Sequence, residues 1–468
     1  MEDKFYAKGP GNNGYIKNLE VLDFNNLDGR CGMFQMAMYR TADGRYYIYG
    51  SAFGGIGMKE AAVQITEVTD PENTRYVKYF RLLDPAEYPT TTCAKVQVAD
   101  DLLICAMTSG SGPGALVDQS ELRNIKCNAG VRIYSLKNDP ENPEFLSYWD
   151  CGVPHSIGVH RFMYDGGRYV FLSCESERFE GMIVRILDIE DPRNPVEVGN
   201  WWSPEQFADG FIGREVNHSA PHVPNFMDKG WMHGPPFYRD GLLYCGYCGD
   251  GLYILDAHDI RRPKCIGNLK FMPAFSSELS GARTHTALPL PGRDLCVVQN
   301  EGERFQFFAP GSIKRAQALN NIHMVDVSDP TRPTLIAEFP YPEVPEDFPY
   351  PNFNVMQLGC QGPFGPHNLH EPMPGKPWLE QRGDRVYCCY FAAGLRIYDV
   401  SDPYYIKEIA YFIPPNPAKK PEESFFPNFP GPRNACTEDC VVDDRGYIYV
   451  TCLDDGFYVL RRTGKADS

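Results

Sequence analysis

Nothing in this chain is apolar for long. No stretch of about 18 apolar residues occurs, the length a helix needs to cross a bilayer, so no membrane span is expected. Positive charge is also short: 45 Lys and Arg against 61 Asp and Glu leave a formal net charge of −16. Such a surface repels nucleic acid and anionic membranes. The opening residues MEDKFY have no basic start followed by an apolar run, so no export signal is expected and a cytoplasmic location is. Several catalytic signatures are missing too. There is no P-loop, no dinucleotide fingerprint in a strand-turn-helix setting, no HExxH on a helix and no GxSxG elbow. The run from Ser109 to Gly114, SGSGPG, is followed by neither a helix nor a lysine and reads as a flexible loop. Asp454 and Asp455 fall in a turn, which gives glycosidase chemistry little support.

Cysteine, by contrast, is plentiful at 16 residues, mostly inside expected strands such as those holding Cys105, Cys174, Cys296, Cys388 and Cys389. Without an export signal these read as reduced core residues. Cys245 and Cys248 form a CxxC within a strand, where residues three apart point to opposite faces. A shared metal or redox pair is not expected there.

The main signal is a repeated phrase: a hydrophobic strand, an Asp-Pro turn, a second strand. It reads VRIYSLKNDP at 131–140, VRILDIEDP at 184–192, IHMVDVSDP at 322–330 and LRIYDVSDP at 395–403, with looser copies VQITEVTDP at 63–71 and LYILDAHDI at 252–260. Residues 160–201 show the whole unit. A short strand from His160 meets a tight turn at Asp165–Gly167, then strands at 168–174, 183–189 and 196–201, with Asp191-Pro192 turning the chain before the last. This is a four-stranded antiparallel meander. Repetition at 70, 139, 191, 259, 329 and 402 suits propeller blades with insertions. A seventh unit at 440–460 stops after three strands, and residues 15–24 resemble a fourth strand, Tyr405–Phe412. An N-terminal strand completing the last blade would remove an exposed edge. The expected fold is all-β, a seven-bladed propeller forming one domain over 1–468.

The phrases ILDI at 186–189, MVDV at 324–327 and IYDV at 397–400 resemble the LVIVD-repeat family of β-propellers over almost the whole chain. That likeness implies the fold and no particular chemistry. More distantly, the layout is similar to the selenium-binding/methanethiol-oxidase propellers and the carotenoid-cleaving oxygenases. Those hold a metal on the propeller axis with histidines from several blades.

The repeat also serves as a ruler. Nine residues before the second strands at Tyr169, Leu242, Asp294, Tyr447, Leu102 and Tyr46 lie His160, His233, His285, Glu438, Cys93 and Ala37. The sixth blade has a longer hairpin, but its first strand contains His367 and His370. This register opens the innermost strands, which surround the axis, so equivalent residues converge there. Imidazoles with a carboxylate suit Fe, Zn, Mn or Cu. His160, His233, His285 and His370 or His367 are the expected metal ligands. Glu438 is a fifth ligand, an orienter of an imidazole or a general base. His155, His218 and His222 lie in loops before inner strands, with His218 and His222 as candidate proton carriers. His258 and His323 fall in third strands and their turns, away from the axis.

In such a meander the long insertions 107–129, 203–232, 271–283, 301–320, 340–366 and 413–435 share the face on which the inner strands begin. Trp201, Trp202, Phe207, Phe211, Trp231, Phe275, Phe305 and Phe364 could roof a pocket or pack loop against loop. The Pro-rich segment 413–435 could also clasp another copy in a homo-oligomer. Arg214 and Arg283 each come shortly before a histidine and could grip a substrate carboxylate. Two functions fit. One is a metal-dependent enzyme for a small organic, aromatic or apolar substrate, with redox slightly favoured over hydrolysis or lyase chemistry. The other is a non-catalytic propeller that binds a protein or peptide on its looped face.

Overall fold

A computed structural model of the chain describes residues 14–30, 32–52, 60–109, 126–153, 158–177, 179, 181–204, 206, 231–271, 283–301, 321–346, 348, 364–417 and 435–464. Their 28 strands form seven four-stranded antiparallel sheets, as the repeat predicts. Among these residues the one helical element is a single 3-10 turn, Leu27–Gly29, and no helix is long and apolar enough to cross a membrane. The 14 described cysteines are free thiols, and Cys245 and Cys248 are both buried.

Burial falls from the axis outward. The inner strand Thr284–Pro289 is buried at every position, whereas the outer strand Val196–Trp201 is mostly part-exposed or exposed. Third strands such as Met182–Asp188 are buried on both faces between neighbouring blades, which is why they read as continuous apolar runs rather than alternating ones.

The Asp-Pro turns owe their recurrence to the aspartate. Asp70, Asp139, Asp191, Asp259, Asp329 and Asp402 each accept at Oδ1 from the backbone N–H two residues on, at 2.8–3.1 Å. Each also accepts at its carbonyl from the N–H three residues on, at 2.9–3.4 Å. This is an Asx turn over a β-turn, and Asp259 makes it although Ile260 follows in place of proline. The turns then lock blade to blade. Tyr49 Oη donates to Pro140 O and Ser147 Oγ to Pro192 O, both at 2.6 Å. At the next two interfaces the outer strand carries glycine instead. A Cβ on Gly199 would sit 2.2 Å from Ile260 O, and one on Gly267 would sit 2.0 Å from Pro330 O.

The N-terminal segment does two jobs. Leu19–Asn25 pairs with Gly456–Arg462 and closes the last blade. Tyr15–Lys17, expected to belong to the same closing strand, pairs instead with Tyr411–Ile413 of the sixth blade. Asn18, at positive φ between them, lets the chain change sheets. The sixth blade's innermost position is reduced to an isolated bridge, Leu369 to Cys388, which explains why its hairpin does not fit the common spacing.

Candidate metal centre

The axial residues owe their placement to β-bulges. Inner strands of three blades pair out of step at Val159/Arg161, Thr284/Thr286 and Thr437/Cys440. The extra residues in those gaps are His160, His285, and Glu438 with Asp439. A bulged residue leaves the ladder and can be re-aimed, here at the top of each inner strand. His233 and His367 take the same place where pairing thins out: their N–H groups donate to Gly246 O at 3.0 Å and Cys389 O at 2.8 Å.

The counting rule fails on two blades, and the pairing says why. In the second blade the bulge lies between Cys93 and Lys95, so Ala94, not Cys93, holds the ring position. In the first blade Met36 pairs with Gly50 and Ala37 with Tyr49 without a bulge, so Ala37 lies inside the ladder.

The four imidazoles form an arc. Ring centroids are 5.1 Å apart for His160 and His233, 4.4 Å for His233 and His285, and 4.8 Å for His285 and His367. His233 and His285 are 2% and 1% exposed, while His160 is part-exposed. Aromatic rings back the arc: Trp231 lies 4.9 Å from His233, and Phe391 stacks on His367 at 4.6 Å.

Glu301, at the exit of the second strand of the fifth blade, completes the cluster. Its carboxylate lies 3.5 Å from His233 Nε2 and 3.6 Å from His367 Nε2. Ligand atoms of His233, His285 and Glu301 all fall within 4.8 Å of one another. Arg283 fixes that carboxylate, donating from Nε at 2.9 Å and lying 2.7 Å away through a terminal nitrogen. It is an internal ion pair, not a free anchor. In the sequence Glu301 marks only the start of the insertion 301–320. Its signal was there, since the second strand exits beside the end where the inner strand begins.

Glu438 Oε1 lies 3.0 Å from His367 Nδ1, yet off hydrogen-bond geometry, and both atoms lack a hydrogen-bond partner among the described residues. His233 Nδ1 lacks one as well. His285 is held on both sides, with Nδ1 2.6 Å from Thr286 Oγ1 and Nε2 3.3 Å from the Arg161 guanidinium. Burial, reinforced by nearby cations, drives the His160 and His233 pKa values well below the usual imidazole range. Burial and neighbouring charges do the same to His285 and bring His367 down to about 3. Burial pushes Glu438 up to about 8, against the pull of Lys95 and Arg161.

His370 stands apart. Both its nitrogens serve the backbone: Nε2 is 2.9 Å from Glu380 O, and Nδ1 accepts from Val442 N–H at 3.2 Å. Of the sixth-blade pair, His367 is the one whose ring joins the arc. His258 is exposed beside Asp256 at 2.8 Å. His323 bridges Glu338 at 2.6 Å and Asn300 at 3.2 Å. His155, His218, His222, Arg214, Phe207, Phe211, Phe275 and Phe305 lie outside the described residues, as do most of the long insertions.

No family model matches the chain, and no curated protein matches it in sequence. Similar solved structures include a periplasmic gluconolactonase of Pseudomonas aeruginosa, 12% identical over 90% of this chain and 99% of that one, with a TM-score of 0.49. A protein from Lactobacillus plantarum is 10% identical over 89% and 98%, also at 0.49. The β-propeller domain of Myceliophteria thermophila Cps50 (Swd1) is 11% identical over 95% and 99%, at 0.48. The chain is a β-propeller.

Proposed function

We propose that the axial cluster holds one divalent transition metal and that the protein is a metal-dependent enzyme for a small organic molecule. The observation that carries this reading is the convergence of His233, His285 and Glu301, from two adjacent blades, within 4.8 Å. His367 Nε2 lies 3.6 Å from the same carboxylate. The donor set fits: neutral imidazole is the ligand form, and burial keeps these imidazoles neutral.

His160, His233, His285, His367 and Glu301 would hold the metal. Iron, zinc, manganese and copper all accept such donors. When bound, the metal would polarise a substrate oxygen, with iron or copper adding redox capacity. Thr286 fixes the His285 ring through Nδ1, and Arg283 fixes the Glu301 carboxylate. Glu438 faces the Nδ1 side of His367, the place from which a carboxylate orients a ligating imidazole. It also stands ready as a proton carrier near neutral pH, because burial holds its proton up to about pH 8. Trp231, Phe391 and Phe34, the last 6.3 Å from His367, supply apolar walls that suit an aromatic or apolar substrate.

Elemental analysis of the purified protein tests this reading. About one equivalent of metal per chain is expected, as isolated or after anaerobic reconstitution under reducing conditions. No stoichiometric metal under either condition would end it and leave the protein- or peptide-binding reading.

A further inference from the structure

Beside the histidine arc, the opposite side of the axis holds an unexplained cation. Lys95 comes one residue after the bulge of the second blade, and Arg161 one residue after the bulge of the third. Adjacent blades thus place a cation at the same register, next to the ring. Arg161 is accounted for: it pairs with Glu371 at 2.9 Å, donates to Asn368 and meets His285. Lys95 is not. It is 1% exposed, and among the described residues its Nζ has no hydrogen-bond partner. The Phe34 ring lies 3.7 Å from the nitrogen. Lys95 nonetheless faces the ring electrostatically, since its charge depresses both His160 and His367.

Burial lowers the Lys95 pKa to about 7, and Glu438, Asp439 and Glu371 act on its charge without a direct hydrogen bond to it. A buried ammonium with no carboxylate in direct contact is costly, and a single aromatic face offsets only part of that. The neighbouring blade shows the contrast: Arg161, at the equivalent position, has a carboxylate and an amide. Lys95 has no such direct partner among the described residues. We infer that Lys95 anchors a carboxylate of the substrate, placing the rest of an organic acid against the histidine arc. The inference rests on the axial ring being the catalytic centre.

The probes are benzoate and its neutral isostere benzamide, titrated calorimetrically into the full-length protein, metal-free and metal-loaded. Benzoate is expected to bind at least tenfold more tightly than benzamide in both forms. Lys95→Met should abolish the preference with metal content unchanged, and Lys95→Arg should restore part of it. Equal binding of the two probes, or a preference that survives Lys95→Met, overturns the assignment. Should Lys95→Met fail to fold, acetylation mapping of the wild-type protein decides. Benzoate must shield Lys95 and benzamide must not, and failure to shield overturns the assignment. A benzoate preference in a protein that never takes up metal would sustain the anion site while removing the catalytic reading of the ring. Metal uptake without the preference would do the reverse.

Discussion

At the rim of the propeller, six blades carry the same aspartate making the same two hydrogen bonds, whether or not proline follows. At the axis, the position opening the inner strand is histidine in four consecutive blades, His160, His233, His285 and His367, but Ala94 and Glu438 in two others. The rim residue acts on its own backbone, so every copy faces the same requirement. The axial residue acts on a shared space, to which four blades supply an imidazole and another a carboxylate. A residue shared by all the turns therefore reports folding, and a polar residue that only part of the blades place at one axial register reports function.

The largest test of that contrast is His233→Ala with His285→Ala. Loss of all stoichiometric metal is expected, with the circular dichroism spectrum of the native propeller retained. Bound metal in the double variant would remove these ligands from the assignment. Arg283→Gln frees the Glu301 carboxylate from its two contacts, and metal affinity should fall about 10- to 100-fold in a competitive chelator titration.

Protons give a signed test in the metal-free protein. His367 is held to about 3 from a usual 6.5, so between those values the unfolded chain binds a proton that the folded one does not. Stability is lost as pH falls through that window, by about 1.4 kcal/mol per pH unit for each such histidine. Glu438 has the opposite sign. Raised to about 8 from 4.5, it makes stability fall as pH rises from 4.5 to 8. Glu438→Gln should therefore be more stable than wild type at pH 8 and nearly equal to it at pH 4.5, read from denaturant midpoints at each pH. At the rim, Asp191→Ala removes acceptors from Arg193 N–H and the Asn194 amide. About 1–2 kcal/mol of stability should be lost, with metal content unchanged. Metal loss there would break the division between rim and axis.

The blades were legible because each carries its own turn chemistry and apolar third strand. The arc was legible in part, because counting back from the second strand reaches His160, His233 and His285. It misses by one in the second blade, where the hairpin is a residue shorter, and no bulge exists in the first. Neither difference leaves a mark in composition. Glu301 and Lys95 escaped for another reason. A carboxylate just past a strand and a lysine within CAKVQVA look like ordinary surface residues until closure brings them inside.

Closure is also where an early strand, Leu19–Asn25, meets a late one, Gly456–Arg462. The histidine arc draws on residues 160 to 367, one unbroken stretch of blades. The facing side draws on Phe34 and Lys95 from near the start and Glu438 from near the end. Those are brought together only when Leu19 pairs with Arg462. During synthesis the arc can assemble on the growing chain, but the wall opposite must wait for the strand Gly456–Arg462 to emerge. A truncated or unclosed chain would thus keep the histidines and lose the other half of the chamber, so the final pairing acts as a checkpoint on a finished site.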